Sequence, residues 1–564
     1  MKKSSFGFQK LVIFVVVIIS FSSCNKPVKE KVVQQEVKMS IDIPKFTFQP
    51  NILWLVAEDL SPYIPSFGDS TIVTPTLSRL ADEGIVYTNV YSPSGVCAPS
   101  RFALATGVYP TSAGAHNMRT QYVQAHMDDI GLILYEVVTP PEVKMMSEVM
   151  RRNGYYCTNN AKTDYQFAPM LTGWDESSEK AHWRNRPEGK PFFSVFNFEV
   201  THESRMWTKA EDSLWVADDL EVPVPPYLPN TEVAKRNIRR MYSNIKEMDA
   251  QVGAVLSQLE EDGLLDSTIV VWYTDHGGPL PRQKRLLYDV GMNTPMIIRY
   301  PEKLFAGTVD DQLISFVDFA PTTFSLANIE PPSYLEGQAF AGTYKAKKER
   351  RYVYGAADRL DNKYDMIRVV RDEQFKYLRN YKPEQGYYLE LGFREKMPIM
   401  QELLRLRDKD SLTEFQAQWF RKSKPQEELF DCKNDPHELL NLAENPEYKD
   451  KLEELRAVND KFIKSIDDKG FIPEKELLSM FWPDWKQPQT EKPTILVTEG
   501  KIELTTITEG GSVGYQILKN DAAAGSNWTV YTQLFKLEKG ERLMAVADRI
   551  GYKPSEVVIL SPHE

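Results

Sequence analysis

Asn51-Ile52-Leu53-Trp54-Leu55-Val56-Ala57-Glu58-Asp59 is a nearly unbroken apolar run that stops on two acids. Alternating apolar and polar residues mark a strand with one wet face; a continuous run of this length marks a strand covered on both. Two further runs share the pattern. Ser267-Thr268-Ile269-Val270-Val271-Trp272-Tyr273-Thr274 stops on Asp275-His276-Gly277-Gly278, and Phe192 to Phe198 is followed closely by His202. Helical patterns lie between them, among them Thr76-Leu77-Ser78-Arg79-Leu80-Ala81 and Met241 to Leu259. Buried strands alternating with helices predict an α/β fold, a large mixed and mostly parallel sheet flanked by helices. In open sheets of this kind the ligand crevice lies outside the carboxyl ends of the strands. The acids and histidines that end these three runs fall in that crevice.

The chain has 564 residues, 42% of them hydrophobic and 26% charged, which supports one large domain with smaller ones and excludes a disordered polymer. The net charge is −11 and the pI is near 5.4, so no nucleic-acid partner is expected. The cysteines are Cys24, Cys97, Cys157 and Cys432. They are too few for a disulfide framework, and no Cys/His spacing suits zinc. The sequence neither requires nor excludes a Cys157–Cys432 pair.

At the N-terminus Lys2, Lys3 and Lys10 precede the apolar run Leu11 to Ile19, and Ser20-Phe21-Ser22-Ser23 leads to Cys24. The run is short for a membrane span. It resembles a bacterial lipoprotein signal, with residues 1–24 as the signal peptide and Cys24 as the lipidated residue; an ordinary secretory signal is the alternative. The resemblance implies a lipid-anchored protein of the cell envelope, with residues 25–47 as a polar tether. The large α/β domain is expected over 48–345. Beyond the charged run Lys345 to Arg351, read as a solvated loop, strand-like alternation at Met366 to Val370 and Phe375 to Leu378 predicts a smaller C-terminal α+β subdomain over 346–490. Short alternating runs after a Pro/Gln/Lys-rich linker predict a small appended β-sandwich over 491–564. Within it, Trp528 and Tyr552 suit the sandwich core better than sugar stacking.

Cys97-Ala98-Pro99-Ser100-Arg101 continues as Phe102-Ala103-Leu104-Ala105-Thr106-Gly107. A lone Cys-x-Pro reads as a buried cysteine at a loop–helix junction. The longer stretch resembles the signature of the formylglycine-dependent sulfatases, Cys/Ser-x-Pro-x-Arg with a later Thr-Gly, at every fixed position. The resemblance covers most of 48–450 and includes Leu429-Phe430-Asp431, Asp435-Pro436-His437-Glu438 and Asn441-Leu442. It implies an alkaline phosphatase-like fold. It also implies that a formylglycine-generating or sulfatase-maturing enzyme oxidises Cys97, and that the aldehyde hydrate is the nucleophile.

The resemblance further implies one calcium ion held by Glu58, Asp59, residue 97, Asp275 and His276. Glu58 stands where the family more often has Asp, and His276 where it often has Asn. Arg101 would steady the hydrate, Lys162 and Lys284 would neutralise the sulfate, and His202 would protonate the departing oxygen. Asp164 stands where the family commonly has a histidine.

The implied activity is hydrolysis of sulfate esters on a sulfated polysaccharide or oligosaccharide, ulvan or another algal glycan. The segment Gly114 to Arg119 and Asp358-Arg359 resemble features of heparan N-sulfatase-like enzymes, so N-sulfoglucosamine sulfohydrolysis is the alternative. The rivals are a phosphonate or phosphate ester hydrolase of the same superfamily and a non-catalytic glycan-binding lipoprotein. Expected sugar contacts are His116, Arg119, Asp164, Asp358 and Arg359.

Overall fold

The computed structural model describes residues 41–519 and 522–561; the expected signal peptide, Cys24 and most of the tether lie outside them. Nine strands form the main sheet: β1 Asn51–Ala57, β2 Ile85–Tyr91, β3 Tyr156–Asn160, β4 Glu176–Ser177, β5 Phe192–Phe198, β6 Thr268–Thr274, β7 Asn293–Arg299, β8 Thr308–Asp310 and β9 Ile314–Ser315. Their order is β4-β3-β5-β1-β6-β7-β2-β8, with β9 also paired to β2. The strands from β4 to β6 run parallel, and β7 runs antiparallel to both its neighbours. All seven residues of β1 and of β6 are buried, as continuous apolar runs require.

Register places the crevice. Ala57 of β1 pairs with Phe198 of β5 and with Thr274 of β6. The three strands therefore end level, and the residues after them emerge along one edge.

The longest helix, Glu232–Glu261, starts at Thr231, whose hydroxyl accepts the Ala234 N–H at 3.4 Å. Its buried stripe, Ile238, Met241, Tyr242, Ile245, Met248, Val252 and Leu256, repeats at helical spacing. It meets the helix Pro75–Asp82 through Asp249, whose carboxylate accepts the Thr76 and Leu77 N–H groups at 3.1 and 2.8 Å. No described helix is long and apolar enough to cross a membrane.

A second, antiparallel sheet follows: β10 Val353–Ala357, β11 Ile367–Arg371, β12 Phe375–Asn380 and β13 Glu427–Asp431, with the helix Lys449–Ser465 beside it. The preceding charged run is only partly solvated, because the Arg350 Nε donates to Asp318 at 2.7 Å. At the C-terminus, β14 Thr494–Thr498 and β15 Lys501–Thr505 form a hairpin. Strands β16 Ser512–Lys519, β17 Thr529–Val530, β18 Glu541–Asp548 and β19 Val558–Leu560 form a four-stranded antiparallel sheet. Ile502, Leu504, Val513, Leu543, Ala545 and Ala547 make one core shared by the two.

This C-terminal part is bonded to the main body. Arg151 donates to the Trp528 carbonyl at 2.7 Å, Ser512 donates to Glu148 at 2.6 Å, and the Leu171 N–H donates to Asp548 at 2.8 Å. Trp528 is buried, and Tyr552 lies against the Arg549 guanidinium at 4.5 Å. Cys157 and Cys432 are separate buried thiols.

Candidate active site

The Cys97 signature becomes the buried helix Cys97–Thr106. Val96 is extended, so the chain turns into the helix at residue 97 itself. Helix N-termini favour negative charge, and Cys97 sits at this one. Ser100 donates its hydroxyl to the Asp275 carbonyl, tying the helix to the end of β6. Thr106 bonds back to the Phe102 carbonyl at 2.8 Å. Gly107 closes the helix at φ 71°, in the left-handed region that glycine enters without a Cβ clash.

Arg101 reaches from the next turn under the strand ends. Its Nε donates to Asp275 at 3.0 Å, and its two terminal nitrogens reach Asn197 at 2.8 Å and Glu58 at 3.2 Å. Lys162 reaches the same Glu58 oxygen at 3.1 Å. The Cys97 Sγ lies 3.2 Å from His276 Nε2, 3.5 Å from Lys284 Nζ and 3.9 Å from Asp59 Oδ1. Lys284 binds Asp59 at 2.6 Å and Glu203 at 3.3 Å, and Arg285 forks onto Glu203 at 2.6 and 2.8 Å. The His202 Nε2 is 4.0 Å from Asp59, while its Nδ1 pairs with Ser204 at 2.8 Å.

Asp59, Cys97, Asp275 and His276 are all buried, with ligand atoms within 4.8 Å of one another. Two carboxylates and an imidazole converging this closely suit a divalent cation. Burial raises the Asp59 carboxyl, yet Lys284, His202 and His276 hold it well below the usual range. Burial lowers the His276 imidazole, but Asp275, Cys97 and Asp59 override it and carry it to about 10. Positive charge is thus strongly favoured at this point. Glu58 stands apart from this donor cluster; burial pushes its carboxyl up to about 7 against the pull of Lys162 and Arg101. Burial, with Lys284 beside it, brings His202 down to about 3.

A cleft of about 190 Å³ opens over this floor. Cys97, Lys162, His202 and Lys284 line it together. Two of the expected sugar contacts, Arg119 and Asp164, are on its wall. The other three are not. His116 is buried among Asp358 and Arg368, and both Asp358 oxygens take Arg368 at 3.0 Å. Arg359 forks onto Glu474 at 2.7 and 2.8 Å and is fully buried. These charges are satisfied inside the protein, the usual condition for burying them.

The sequence reading missed Tyr122, Asp361 and Glu203 on the cleft. Glu203 follows His202 directly, but nothing in the linear pattern joins it to Arg285. Backbone strain concentrates here too: Asp59, Arg119, Tyr122, Asp164, Arg285 and Asp361 all have left-handed φ between 48° and 77°.

The sulfatase family matches residues 50–329, and the family described as N-sulphoglucosamine sulphohydrolase, C-terminal, matches 282–418. An ulvan-active sulfatase of Formosa agariphila is 50% identical over 99% of this chain and 98% of its own. The N-sulphoglucosamine sulphohydrolase of Homo sapiens is 25% identical over 72% of this chain and 88% of its own. A solved structure in complex with its substrate D-glucosamine-2-N,6-O-disulfate superposes with a TM-score of 0.54 at 17% identity, covering 75% of this chain and 99% of that one. It shares the alkaline phosphatase-like fold. Half identity along the full length of both chains places this protein, on grounds independent of its fold, in the type I sulfatase family, whose members hydrolyse sulfate esters.

Proposed function

We propose that the protein desulfates ulvan or a related algal polysaccharide, with residue 97 as formylglycine and one calcium ion beside it. The observation that carries this is the joining of the Cys97 signature to a buried floor of paired acids and cations. The full-length likeness to an ulvan-active sulfatase supports the substrate class.

When present, the hydrated aldehyde supplies an oxygen nucleophile that can later expel sulfate, and calcium neutralises charge on the sulfate oxygens. Asp59, Asp275, His276 and residue 97 would hold the ion. Arg101 fixes Asp275 and Glu58 from below. Lys162 and Lys284 face the cleft from two sides and bind the sulfate oxygens. Glu203, held ionised at about 2 by Arg285 and Lys284 despite its burial, keeps Lys284 in place. His202 directs Nε2 over the floor and passes its proton to the sugar oxygen as the sulfate bond breaks. A bound sulfate adds the negative charge that lets this imidazole hold that proton. Asp164 and Arg119 contact sugar hydroxyls from the wall.

Every residue of Cys97–Thr106 is buried, so a maturing enzyme that reads this motif acts before the helix closes into the core. The N-terminal lipid at Cys24 would keep the enzyme in the cell envelope, close to imported glycan.

Sulfate release from ulvan, heparan, carrageenan and fucoidan oligosaccharides tests the substrate, with an aryl phosphonate as the control for the rival chemistry. Cys97→Ala should abolish release while leaving the fold intact, and intact-mass measurement should show the aldehyde in the unmodified enzyme. Turnover by Cys97→Ala would sink the nucleophile assignment. N-sulfoglucosamine hydrolysis is the second reading, favoured by the match at 282–418; sulfate release from heparan alone would establish it.

A further inference from the structure

Tyr122 is the only aromatic side chain lining the cleft besides the His202 imidazole, among the described residues. It is also 71% exposed, whereas Thr120, two residues earlier, is fully buried. An exposed tyrosine ring beside a reaction centre offers an apolar face and a polar tip to a ligand.

The backbone holds the ring out. Arg119 and Tyr122 have φ of 60° and 76°, a region that bulky residues enter rarely. The loop is fastened just before this strained stretch and within it. The Met118 N–H donates to the Arg359 carbonyl, and the Arg359 guanidinium donates to the Met118 carbonyl, both at 2.9 Å. The Thr120 carbonyl accepts the Tyr135 N–H at 2.9 Å, and its hydroxyl bonds Gln166 at 3.1 Å. Arg119 is fixed by Asp361 at 2.9 Å and lies over the Phe393 ring. Tyr122 and Lys162 line the same cleft. The backbone therefore keeps the ring on the wall of the cleft that Cys97, Lys162 and Lys284 also line.

We propose that Tyr122 is a stacking platform for the sugar joined to the sulfated one, and that it gives the enzyme its preference for oligosaccharide over monosaccharide sulfates. The proposal rests on the sulfated-glycan reading above. A pyranose presents an apolar C–H face that lies flat on an aromatic ring, and tyrosine offers that area at small cost in side-chain freedom. Asp164, Arg119 and Asp361 on the same wall supply hydrogen bonds for hydroxyls at the ring's edge. A monosaccharide sulfate seated over Cys97 satisfies the floor and leaves the platform bare.

The test compares kcat/KM for a sulfated ulvan tetrasaccharide with that for its sulfated monosaccharide, in the wild type, Tyr122→Ala and Tyr122→Phe. Tyr122→Ala should lower the tetrasaccharide-to-monosaccharide ratio about tenfold, through KM, equivalent to about 1.4 kcal/mol. Tyr122→Phe should keep the ratio within about threefold of the wild type, because the ring face remains. An unchanged ratio in Tyr122→Ala overturns the proposal, as does an equal loss on both substrates, which marks a purely structural residue. Equal losses in the Phe and Ala variants also overturn it, by assigning the effect to the hydroxyl. If the wild type releases no sulfate from either saccharide, the glycan reading itself fails, and that result appears before any variant is made.

Discussion

Replacing Lys284 with alanine removes a lysine charge that touches both residue 97 and Asp59. Its Nζ is 3.5 Å from Cys97 Sγ and 2.6 Å from Asp59, and the side chain is 3% exposed. Two unit charges 3.5 Å apart interact by about 5 kcal/mol at an effective dielectric near 20. Asp59 and Glu203 share the ammonium, so only part of that field reaches a developing oxyanion. Removing one preorganised donor from a reacting centre typically costs about 2.7–4 kcal/mol, or roughly 10²–10³ in rate.

The expected loss in kcat/KM for Lys284→Ala is of that size. The fold should survive, because Glu203 keeps its Arg285 fork and Asp59 keeps the Glu203 N–H and His276. Calcium content should not fall, since removing a cation beside Asp59 frees that carboxylate for the metal. Lys284→Arg should recover part of the activity. The assay is sulfate release from an aryl sulfate and from ulvan oligosaccharides, with bound calcium and the aldehyde at residue 97 measured on the same samples. A loss below about tenfold with metal and aldehyde intact would refute the argument that this charge acts on the sulfate.

Arg359→Leu should destabilise the protein by about 3–5 kcal/mol, because it strands the buried Glu474 carboxylate; a denaturant midpoint equal to the wild type would contradict this. Arg119→Ala should instead raise KM for oligosaccharides with a much smaller change in that midpoint. Burial pushes the Asp548 carboxyl up to about 7, against backbone bonds from Leu171 and Arg549. The unfolded chain releases that proton near 3.9, so Asp548 makes stability fall as pH rises from about 4 to 7. Asp548→Asn should flatten that slope, and a variant whose stability against pH runs parallel to the wild type would count against it. Exhaustive chelation should abolish turnover and lower Tm, with calcium restoring both; full activity after chelation would exclude the cation.

Much of the fold was legible because its signals are local. Continuous apolar runs at Asn51–Ala57 and Thr268–Thr274 announce doubly covered strands, and parallel register then brings their terminal acids to one edge. The stretch Met241 to Leu259 announces a helix by period, and the structure extends that helix back to Glu232. The Cys97 signature was legible for the same reason. Its fixed residues fall within one short helix and its cap, Arg101 one turn on from Cys97 and Gly107 at the end, although the partners of Arg101 come from distant strands.

Arg359 and Asp358 are expected as sugar contacts because they resemble features of heparan N-sulfatase-like enzymes. Their partners are Glu474, 115 residues away for Arg359, and Arg368 for Asp358, and burial makes those pairs part of the frame. That frame holds Met118 and so the loop bearing Tyr122.

By itself the sequence determined three central strands of the sheet, the Cys97 signature and the residues that end those strands. Hydrophobic period and short motifs are properties of neighbouring residues, and a single chain displays them. Only the tertiary structure decided which charges face the substrate and which face each other. Arg119 and Arg359 are alike in composition and separated in role, because a charged side chain takes its role from the segments packed around it, and those segments meet only in the folded chain.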